Sequence, residues 1–128
     1  MERIRGRLSL DMNGIELQKT LAGYEQISLD VGTGDGRFVC RSAEQNKDTF
    51  FIGVDSCREN LHANSRKRLP NALFVIASAQ ALPRELNGLA SHVSINFPWG
   101  SLLESLLNDD ACLVHGLASV TRPFAGMD

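Results

Sequence analysis

The feature that most constrains this chain is an apolar run that ends in three glycines at alternate positions, within residues 27–36. Residues 27–31 predict a buried strand, and the amphipathic segment after the glycines predicts a helix. Gly32 and Gly34 let the backbone turn tightly and approach a ligand without a Cβ in the way. The order of strand, glycine loop and helix is typical of a site that wraps a nucleotide-like ligand.

An acidic residue follows the next predicted strand at a spacing that suits the same ligand. The apolar run at residues 50–54 ends in Asp55, nineteen positions past Gly36. A carboxylate there is placed to accept hydrogen bonds from ribose hydroxyls. The dinucleotide fingerprint G-x-G-x-x-G requires glycine where Arg37 stands, so a nicotinamide-dependent dehydrogenase is disfavoured. A generic turn, whose glycines serve geometry alone, does not explain Asp55, and a cofactor site is therefore favoured.

Composition and charge exclude several classes of protein. The chain has 128 residues, of which 43% are hydrophobic, as expected of one folded domain with a core. Its net charge of -2 gives no overall bias toward nucleic acid, so any affinity for RNA depends on local basic patches. The three cysteines and three histidines are scattered, which predicts no metal site. No membrane span or signal-peptide core is evident, so we expect a soluble, cytoplasmic protein without membrane contact.

Two basic stretches lie outside the glycine loop. Residues 3–10 alternate with period two and predict one strand, with Ile4, Leu8 and Leu10 on one face and three arginines on the other. The arginine face could contact phosphates, although a solvated strand face explains the pattern slightly better. The Arg-Lys-Arg cluster at residues 66–68 is more typical of a solvated helix end than of an RNA contact.

The rest of the chain predicts helices that alternate with strands. Asp35 caps a helix that runs to about residue 45, and Ser56 opens a capping box for a helix that ends before Pro70. Ser101 opens a second capping box and is interpreted as a helix cap, not as a nucleophile. Further elements are strands at 73–77 and 91–97 and helical segments at 84–89 and 109–121. This alternation predicts an α/β fold with a parallel sheet.

Five segments together resemble one known family. They read Leu-Asp-Val-Gly-Thr-Gly-Asp-Gly-Arg at 29–37, Ile-Gly-Val-Asp at 52–55, Glu-Asn-Leu at 59–61, Phe-Val-Ile-Ala-Ser-Ala-Gln-Ala-Leu-Pro at 74–83 and Phe-Pro-Trp-Gly-Ser-Leu-Leu at 97–103. In this order, over nearly the whole chain, they resemble the 16S rRNA (adenine-1408, N1) methyltransferases that confer aminoglycoside resistance. Phe-Pro-Trp-Gly is the most specific element, because the glycine loop alone marks only the class I methyltransferase superfamily.

The resemblance implies a cofactor, S-adenosylmethionine, and a set of residues that hold it. They are Asp30, Gly32, Thr33, Gly34, Gly36, Asp55, Ser56, Ala79, Gln80 and Asn96. At Gln80 the family usually has an acidic residue, but a glutamine carbonyl also accepts a hydrogen bond from an adenine amino group. Asn96 makes its stretch similar to the Asn-Pro-Pro-Tyr motif of amino-group DNA methyltransferases, whose asparagine binds an exocyclic amine.

The same resemblance assigns the target base to the segment after the fourth core strand. Phe97, Pro98 and Trp99 are implied to hold a flipped adenine, with the indole as the surface on which the base stacks. A tryptophan that follows a proline in a loop is poorly placed for core packing, which favours this role over a structural one. The implied partner is 16S rRNA in the 30S ribosomal subunit.

The chain departs from the family in its length. The resemblance implies a Rossmann-like class I methyltransferase fold, whose sheet usually has seven strands, whereas about four core parallel strands are predicted here. We therefore expect a C-terminally incomplete single domain, with an N-terminal β extension at residues 1–25 and a cofactor-binding core at 26–128. Its fourth strand is expected to be an exposed sheet edge, open to self-association.

Two alternatives stay open besides the disfavoured dehydrogenase. One is another class I methyltransferase that acts on a different RNA, on a protein or on a small molecule. The other is a truncated, catalytically inactive remnant that binds the cofactor without transferring a methyl group. Intact 30S subunits as methyl acceptor separate the first alternative from the family function.

Overall fold

Six strands form one sheet in the computed structural model, which describes residues 1–95 and 111–123. They are β1 (Glu2–Arg5), β2 (Leu8–Asp11), β3 (Gln26–Val31), β4 (Thr49–Asp55), β5 (Ala72–Ile76) and β6 (His92–Ile95). Their order across the sheet is β2-β1-β5-β4-β3-β6. The strands β5, β4, β3 and β6 are parallel, and β1 and β2 run antiparallel at one edge. The predicted α/β fold, with a core of four parallel strands and an N-terminal β extension, is confirmed.

Helices cover both faces of the sheet. In the described part of the chain they are α1 (Gly14–Leu21), α2 (Arg37–Gln45), α3 (Arg58–Leu61) and α4 (Ala111–Val120), with short 3-10 turns at Asn64–Arg66 and Arg84–Leu86. The predicted end of α2 at residue 45 is confirmed, and α4 begins and ends within two residues of its prediction. The helix predicted at 84–89 is shorter than expected, since only one 3-10 turn forms there.

The core consists of two apolar clusters, one on each face of the sheet. Leu17 of α1 and Leu117 of α4 belong to the first cluster, together with Leu29 of β3. Val39 of α2 and Leu61 of α3 belong to the second. The central strand β4 contributes to both clusters, because its apolar side chains alternate between the two faces. A strand buried on both faces explains the unbroken apolar run that predicted β4.

The N-terminal strand prediction is wrong in two respects, the first being that residues 3–10 form a hairpin. Gly6 has a φ of +62°, in the left-handed region that glycine adopts at little cost, and the chain reverses there. In the antiparallel register Leu8 and Leu10 pair with arginines of β1, and paired residues point to the same face. The predicted division of faces is therefore wrong, because these leucines lie on the face opposite Ile4. Ile4 is buried, whereas Leu8 and Leu10 are 59% and 45% exposed on the outermost strand β2.

The single helix predicted between Asp55 and Pro70 is also wrong, since α3 and a separate 3-10 turn stand there. The predicted capping box does not cap α3, whose N-terminus has no side-chain cap. Further along, the Asn64 side-chain amide donates to the Asp35 carbonyl at 2.8 Å, and the Ser65 hydroxyl accepts from the Gly6 N–H at 2.7 Å. These tertiary hydrogen bonds prevent the segment between Asp55 and Pro70 from forming one continuous helix.

Two other predictions fall partly outside the described residues. The strand predicted at 91–97 is observed as β6 up to Ile95, and its last two positions are not described. The predicted cap Ser101 also lies outside the described residues. Among the helices that the structure does describe, none combines the length and the apolar character of a transmembrane span.

Candidate functional site

The glycine loop joins β3 to α2 and is tied to the end of β4. The backbone N–H groups of Gly32 and Thr33 both donate to the Val54 carbonyl, at 2.8 and 3.0 Å. Gly32, Gly34 and Gly36 have φ values of +70°, +65° and +80°, which side chains other than glycine rarely adopt. The three glycines therefore set the path of the loop at the carboxyl ends of the two central strands.

Two of these glycines have different surroundings. A Cβ at Gly36 would overlap the Phe74 ring, so this position must lack a side chain for the loop to pack on β5. A Cβ at Gly34 would meet nothing within 4 Å. The loop is thus closed against the core at Gly36 and open at Gly34, which is the side from which a ligand can reach the backbone.

Asp30, at the end of β3, is closed in by side chains. It is 3% exposed, and its two carboxylate oxygens accept hydrogen bonds from the Thr33 hydroxyl at 2.8 Å and the Ser94 hydroxyl at 2.9 Å. A buried carboxylate requires such donors, because an unpaired charge in the core is costly. Asp30 therefore holds the loop residue Thr33 and connects it to β6.

Asp55, at the end of β4, is half-buried and faces the loop. One oxygen accepts from the Gly34 N–H at 3.3 Å and the other from the Cys57 N–H at 2.9 Å. Because each carboxylate oxygen can accept two hydrogen bonds, the side chain retains acceptor capacity toward a ligand. Ser56 follows on the exposed side. The arrangement places a negative charge directly beside the open position of the glycine loop.

The chain after β5 lies against the same end of the sheet. The Ala77 N–H donates to the Asp55 carbonyl at 3.1 Å, which brings the following residues next to Asp55. Ala79 and Gln80 are half-buried there. The Ser78 hydroxyl donates to the Gln80 side-chain oxygen at 2.9 Å, which directs that carbonyl. A cavity of about 290 Å³ extends from Gln80 toward α4.

The prediction that Asp35 caps α2 is wrong, because the N-cap is Gly36 and α2 has no side-chain cap; Asp35 stands one residue earlier. Its carboxylate accepts from the Arg37 N–H at 3.0 Å and pairs with the Arg37 guanidinium at 2.8 Å. The side-chain hydrogen bond from Arg37 holds the pKa of Asp35 below its usual value. Asp35 is thus engaged by its own helix, in contrast to Asp55.

The structure brings most of the predicted site residues to one end of the sheet. These are Asp30, Gly32, Thr33, Gly34, Gly36, Asp55, Ser56, Ala79 and Gln80. Asn96, Phe97, Pro98 and Trp99 lie outside the described residues. Ser94 was not among the predicted site residues. The sign of its role is a hydroxyl that stands opposite Asp30 on the neighbouring strand, which becomes visible only when the strand register is known. In the described part of the chain no cluster of acidic, cysteine and histidine residues could hold a metal ion.

The two basic stretches are neighbours in the structure. The Gly6 N–H donates to the Ser65 hydroxyl at 2.7 Å, and the stem of Arg66 occupies the space that a side chain at position 6 would take. Exposed cations therefore surround the contact between the hairpin turn and the linker before β5. We call this the basic surface, and its residues are Arg5, Arg7, Arg66, Lys67 and Arg68.

The basic surface is also connected to the glycine loop. Asn64, which directly precedes Ser65, donates its side-chain amide to the Asp35 carbonyl at 2.8 Å. The 3-10 turn Asn64–Arg66 thus contacts the glycine loop at one end and the hairpin turn at the other. The contact between the two basic stretches could not be predicted from the sequence, because about sixty residues separate them.

The model of the NpmA family, described as 16S rRNA (adenine(1408)-N(1))-methyltransferase, matches residues 2–128. The chain belongs to this family. It is 35% identical over 127 residues to the Escherichia coli 16S rRNA (adenine(1408)-N(1))-methyltransferase, covering 93% of this chain and 58% of the relative. The enzyme of that name from Streptoalloteichus hindustanus is 32% identical over 133 residues, covering 98% of this chain and 61% of the relative. The chain thus spans about three-fifths of the length of these curated relatives.

Solved structures agree with the family assignment. The aminoglycoside resistance methyltransferase NpmB1 superposes with a TM-score of 0.95 at 38% identity, over 98% of this chain and 65% of that one. A mutant 16S rRNA (adenine(1408)-N(1))-methyltransferase from Catenulisporales acidiphilia, solved with its cosubstrate SAM, superposes with a TM-score of 0.92 at 29% identity. That match covers 99% of this chain and 66% of the other. The fold is therefore that of the class I methyltransferases.

Proposed function

We propose that this chain binds S-adenosylmethionine and serves methyl transfer to N1 of an adenine in 16S rRNA, the reaction for which its family is named. The observation that carries the proposal is the open Gly34 beside the Asp55 carboxylate, at the carboxyl ends of adjacent parallel strands. In open α/β sheets, this end of the strands is where ligands bind. The site therefore combines a backbone cradle with an acceptor for ribose.

Each part of the site has a distinct role in holding the cofactor. Asp55 would accept hydrogen bonds from the ribose hydroxyls, and the open backbone at Gly34 would leave space for the cofactor beside it. Gln80 accepts from the adenine amino group, and the neighbouring Ser56 and Ala79 line the same end of the sheet. Asp30 contributes indirectly, because it holds Thr33. The relative from Catenulisporales acidiphilia, solved with SAM, supports the choice of cofactor.

The chemistry requires positioning more than proton transfer. When bound, S-adenosylmethionine supplies an electrophilic methyl group on a sulfonium centre. Adenine N1 has an in-plane lone pair and no proton in the neutral base, so the chain needs no general base. Phe97, Pro98 and Trp99 would hold the flipped base for attack on the methyl group, and Asn96 precedes them in the sequence. The methylated base is cationic, and an indole face stabilises it by cation–π attraction.

The basic surface is the candidate contact to rRNA. On sequence alone each of its two stretches is better explained by solvation, but their proximity concentrates positive charge in one region. Phosphate contacts from lysine and arginine supply most of the sequence-independent affinity for nucleic acid. A net charge of -2 makes this local concentration necessary for RNA binding.

Calorimetric titration with S-adenosylmethionine tests the cofactor site, with NAD as the competing ligand. We expect saturable binding of S-adenosylmethionine alone, and a loss of at least about tenfold in affinity for Asp55→Ala. Asp48→Ala is the matched control, because it removes an exposed carboxylate in the turn before β4. Equal affinity of both variants would contradict the role of Asp55, and binding of NAD instead would favour a dehydrogenase.

Methyl transfer to intact 30S subunits, with tRNA as the alternative acceptor, tests the substrate. We expect transfer to 30S subunits, and we expect Trp99→Ala to abolish transfer while cofactor affinity is retained. If Trp99→Ala loses both, the tryptophan is structural. Transfer to tRNA alone would favour another RNA methyltransferase, and cofactor binding without transfer to any acceptor would favour an inactive remnant.

Charge reversal tests the basic surface. Arg7→Glu with Lys67→Glu is expected to weaken 30S binding by at least about tenfold and to reduce its salt dependence by about two phosphate contacts. Lys19→Glu with Lys47→Glu changes the net charge equally at exposed positions outside the surface. Titration with S-adenosylmethionine should be unaltered in both. An equal loss in the control pair would show that only the overall charge matters.

Two further proposals concern the state of the protein. Among the described strands β6 pairs on one side only, with β3, and we propose that this edge permits self-association. Light scattering across a concentration series should then show dimers that Ile95→Lys disrupts. A monomer at all concentrations would refute the idea. We also propose a single domain working in the cytoplasm, where the 30S subunit is found.

A further inference from the structure

A continuous set of side-chain hydrogen bonds links the glycine loop to the strand β6. The Thr33 hydroxyl donates to one oxygen of Asp30 at 2.8 Å, and the Ser94 hydroxyl donates to the other at 2.9 Å. We propose that Ser94 is a positioning residue for methyl transfer and acts on the cofactor loop through Asp30 and Thr33. The inference rests on the proposed function, because it assigns a role within that same site.

Thr33 is the point at which the loop can be held. Its neighbours Gly32 and Gly34 have no side chains, so the loop has no other side-chain attachment between them. Thr33 is 6% exposed, and its methyl carbon lies 3.1 Å from the position that a Cβ on Gly53 would take. This packing directs the hydroxyl toward Asp30. The backbone amides of the loop therefore follow the position of the Asp30 carboxylate.

Ser94 couples that carboxylate to the part of the chain implied to hold the target base. In the parallel pair of β3 and β6, Ser94 stands directly opposite Asp30. It lies two residues before Asn96 and five before Trp99 in the sequence. One carboxylate thus receives a hydrogen bond from the loop that holds the methyl donor and another from the strand that leads to the methyl acceptor.

Such a link controls the distance between the methyl donor and the methyl acceptor. Methyl transfer requires the reacting atoms to be about 3–3.5 Å apart and in line, and a misplacement of about 1 Å costs roughly a hundredfold in rate. If Ser94 loses its hydroxyl, Thr33 still holds the loop on the other oxygen of Asp30. Cofactor affinity should then change little, whereas the rate of transfer should fall.

Hydrogen exchange and steady-state kinetics on Ser94→Ala test the inference. We expect amide exchange of residues 32–36 to accelerate about tenfold, and kcat for 30S methylation to fall about tenfold, with KM for S-adenosylmethionine within about twofold. Ser94→Thr, which keeps the hydroxyl, should restore both. The matched control is Ser91→Ala, because the Ser91 hydroxyl also bonds to β3, at Ile27, but far from the loop.

The outcomes separate this inference from the proposed function. If the wild-type chain binds no S-adenosylmethionine, the proposed function is refuted. Hydrogen exchange needs neither cofactor nor RNA, so it still tests whether Ser94 is coupled to the glycine loop. Unchanged exchange in Ser94→Ala, or an equal effect of Ser91→Ala, overturns the inference. If Ser94→Ala does not fold, Ser94→Val and Ser94→Thr provide the comparison, because they have nearly the same shape and differ in the hydroxyl.

Discussion

Asp30 and Asp55 close neighbouring parallel strands, yet the structure gives them different surroundings. Asp30 is 3% exposed and accepts hydrogen bonds from the hydroxyls of Thr33 and Ser94. Asp55 is half-buried and accepts from two backbone N–H groups, one of them at the open position Gly34. The first carboxylate is enclosed by side chains, and the second faces the loop.

The family resemblance implied that both residues hold the cofactor, whereas their surroundings indicate a different role for each. A buried carboxylate with hydroxyl donors stabilises the loop on which a ligand rests, because removing it leaves polar groups without an acceptor in the core. A half-buried carboxylate beside an open backbone has acceptor capacity for the ligand itself. Mutations should therefore affect the free energy of unfolding at Asp30 and ligand affinity at Asp55.

The largest expected effect is a difference in the free energy of unfolding between variants of the two aspartates. Asp30→Ala should lower the free energy of unfolding by about 3 kcal/mol, because the buried Thr33 hydroxyl and the half-buried Ser94 hydroxyl lose their acceptor. Asp55→Ala should lower it by less than about 1 kcal/mol, since its backbone donors lie nearer to solvent. Urea denaturation of both variants measures this. Equal losses would show that the two carboxylates have the same structural role.

Two glycines of the loop are expected to differ in the same way, with smaller changes in the free energy of unfolding. Gly36→Ala should cost about 2 kcal/mol, because the new methyl group overlaps the Phe74 ring in addition to the strain of a positive φ. Gly34→Ala has the same backbone strain but enters open space, and about 1 kcal/mol is expected.

Urea denaturation and cofactor titration together test this glycine pair. Gly34→Ala should weaken S-adenosylmethionine binding more than its small loss of stability explains, because the methyl group projects into the ligand side of the loop. If Gly34→Ala is the more destabilising substitution, the assignment of a core side and a ligand side is wrong.

The smallest effect concerns a carboxylate far from the site. The Met1 ammonium group donates to Glu85 at 2.6 Å, and this hydrogen bond raises the pKa of the amine above its usual value. The raised pKa means that the pair stabilises the fold fully below about pH 8 and loses its contribution as the pH rises through the folded-state pKa. Because the pair is solvent-screened, about 0.5 kcal/mol is expected.

Thermal unfolding between pH 7 and pH 10 measures this contribution. The wild type should lose stability over that range, and Glu85→Gln should show a smaller loss. Asp11→Asn is a useful control, because Asp11 is a more distant acceptor for the same amine, at 3.3 Å. An identical pH dependence of wild type and Glu85→Gln would contradict the role of the pair.

Much of the fold was predictable because it depends on local pattern. The strands β3, β4 and β5 were found from their apolar runs. Side chains of β4 and β5 belong to both core clusters, whereas those of β3 belong to the first alone. The end of α2 was found at residue 45. The hairpin turn at Gly6 was missed because the apolar and polar residues alternate in the sequence without a break through the turn. The break after α3 was missed because contacts of Asn64 and Ser65 cause it.

The candidate site follows the same division. Residue type and spacing along the chain were enough to select the three glycines and Asp55, because a strand followed by a tight loop brings its own neighbours together. The family resemblance added Asp30. The partner of Asp30 on β6 and the joining of the two basic stretches needed the tertiary structure. Ser94 is 64 residues from Asp30, and Ser65 is 59 residues from Gly6. Contacts over such separations depend on strand order and register, which local propensities do not encode.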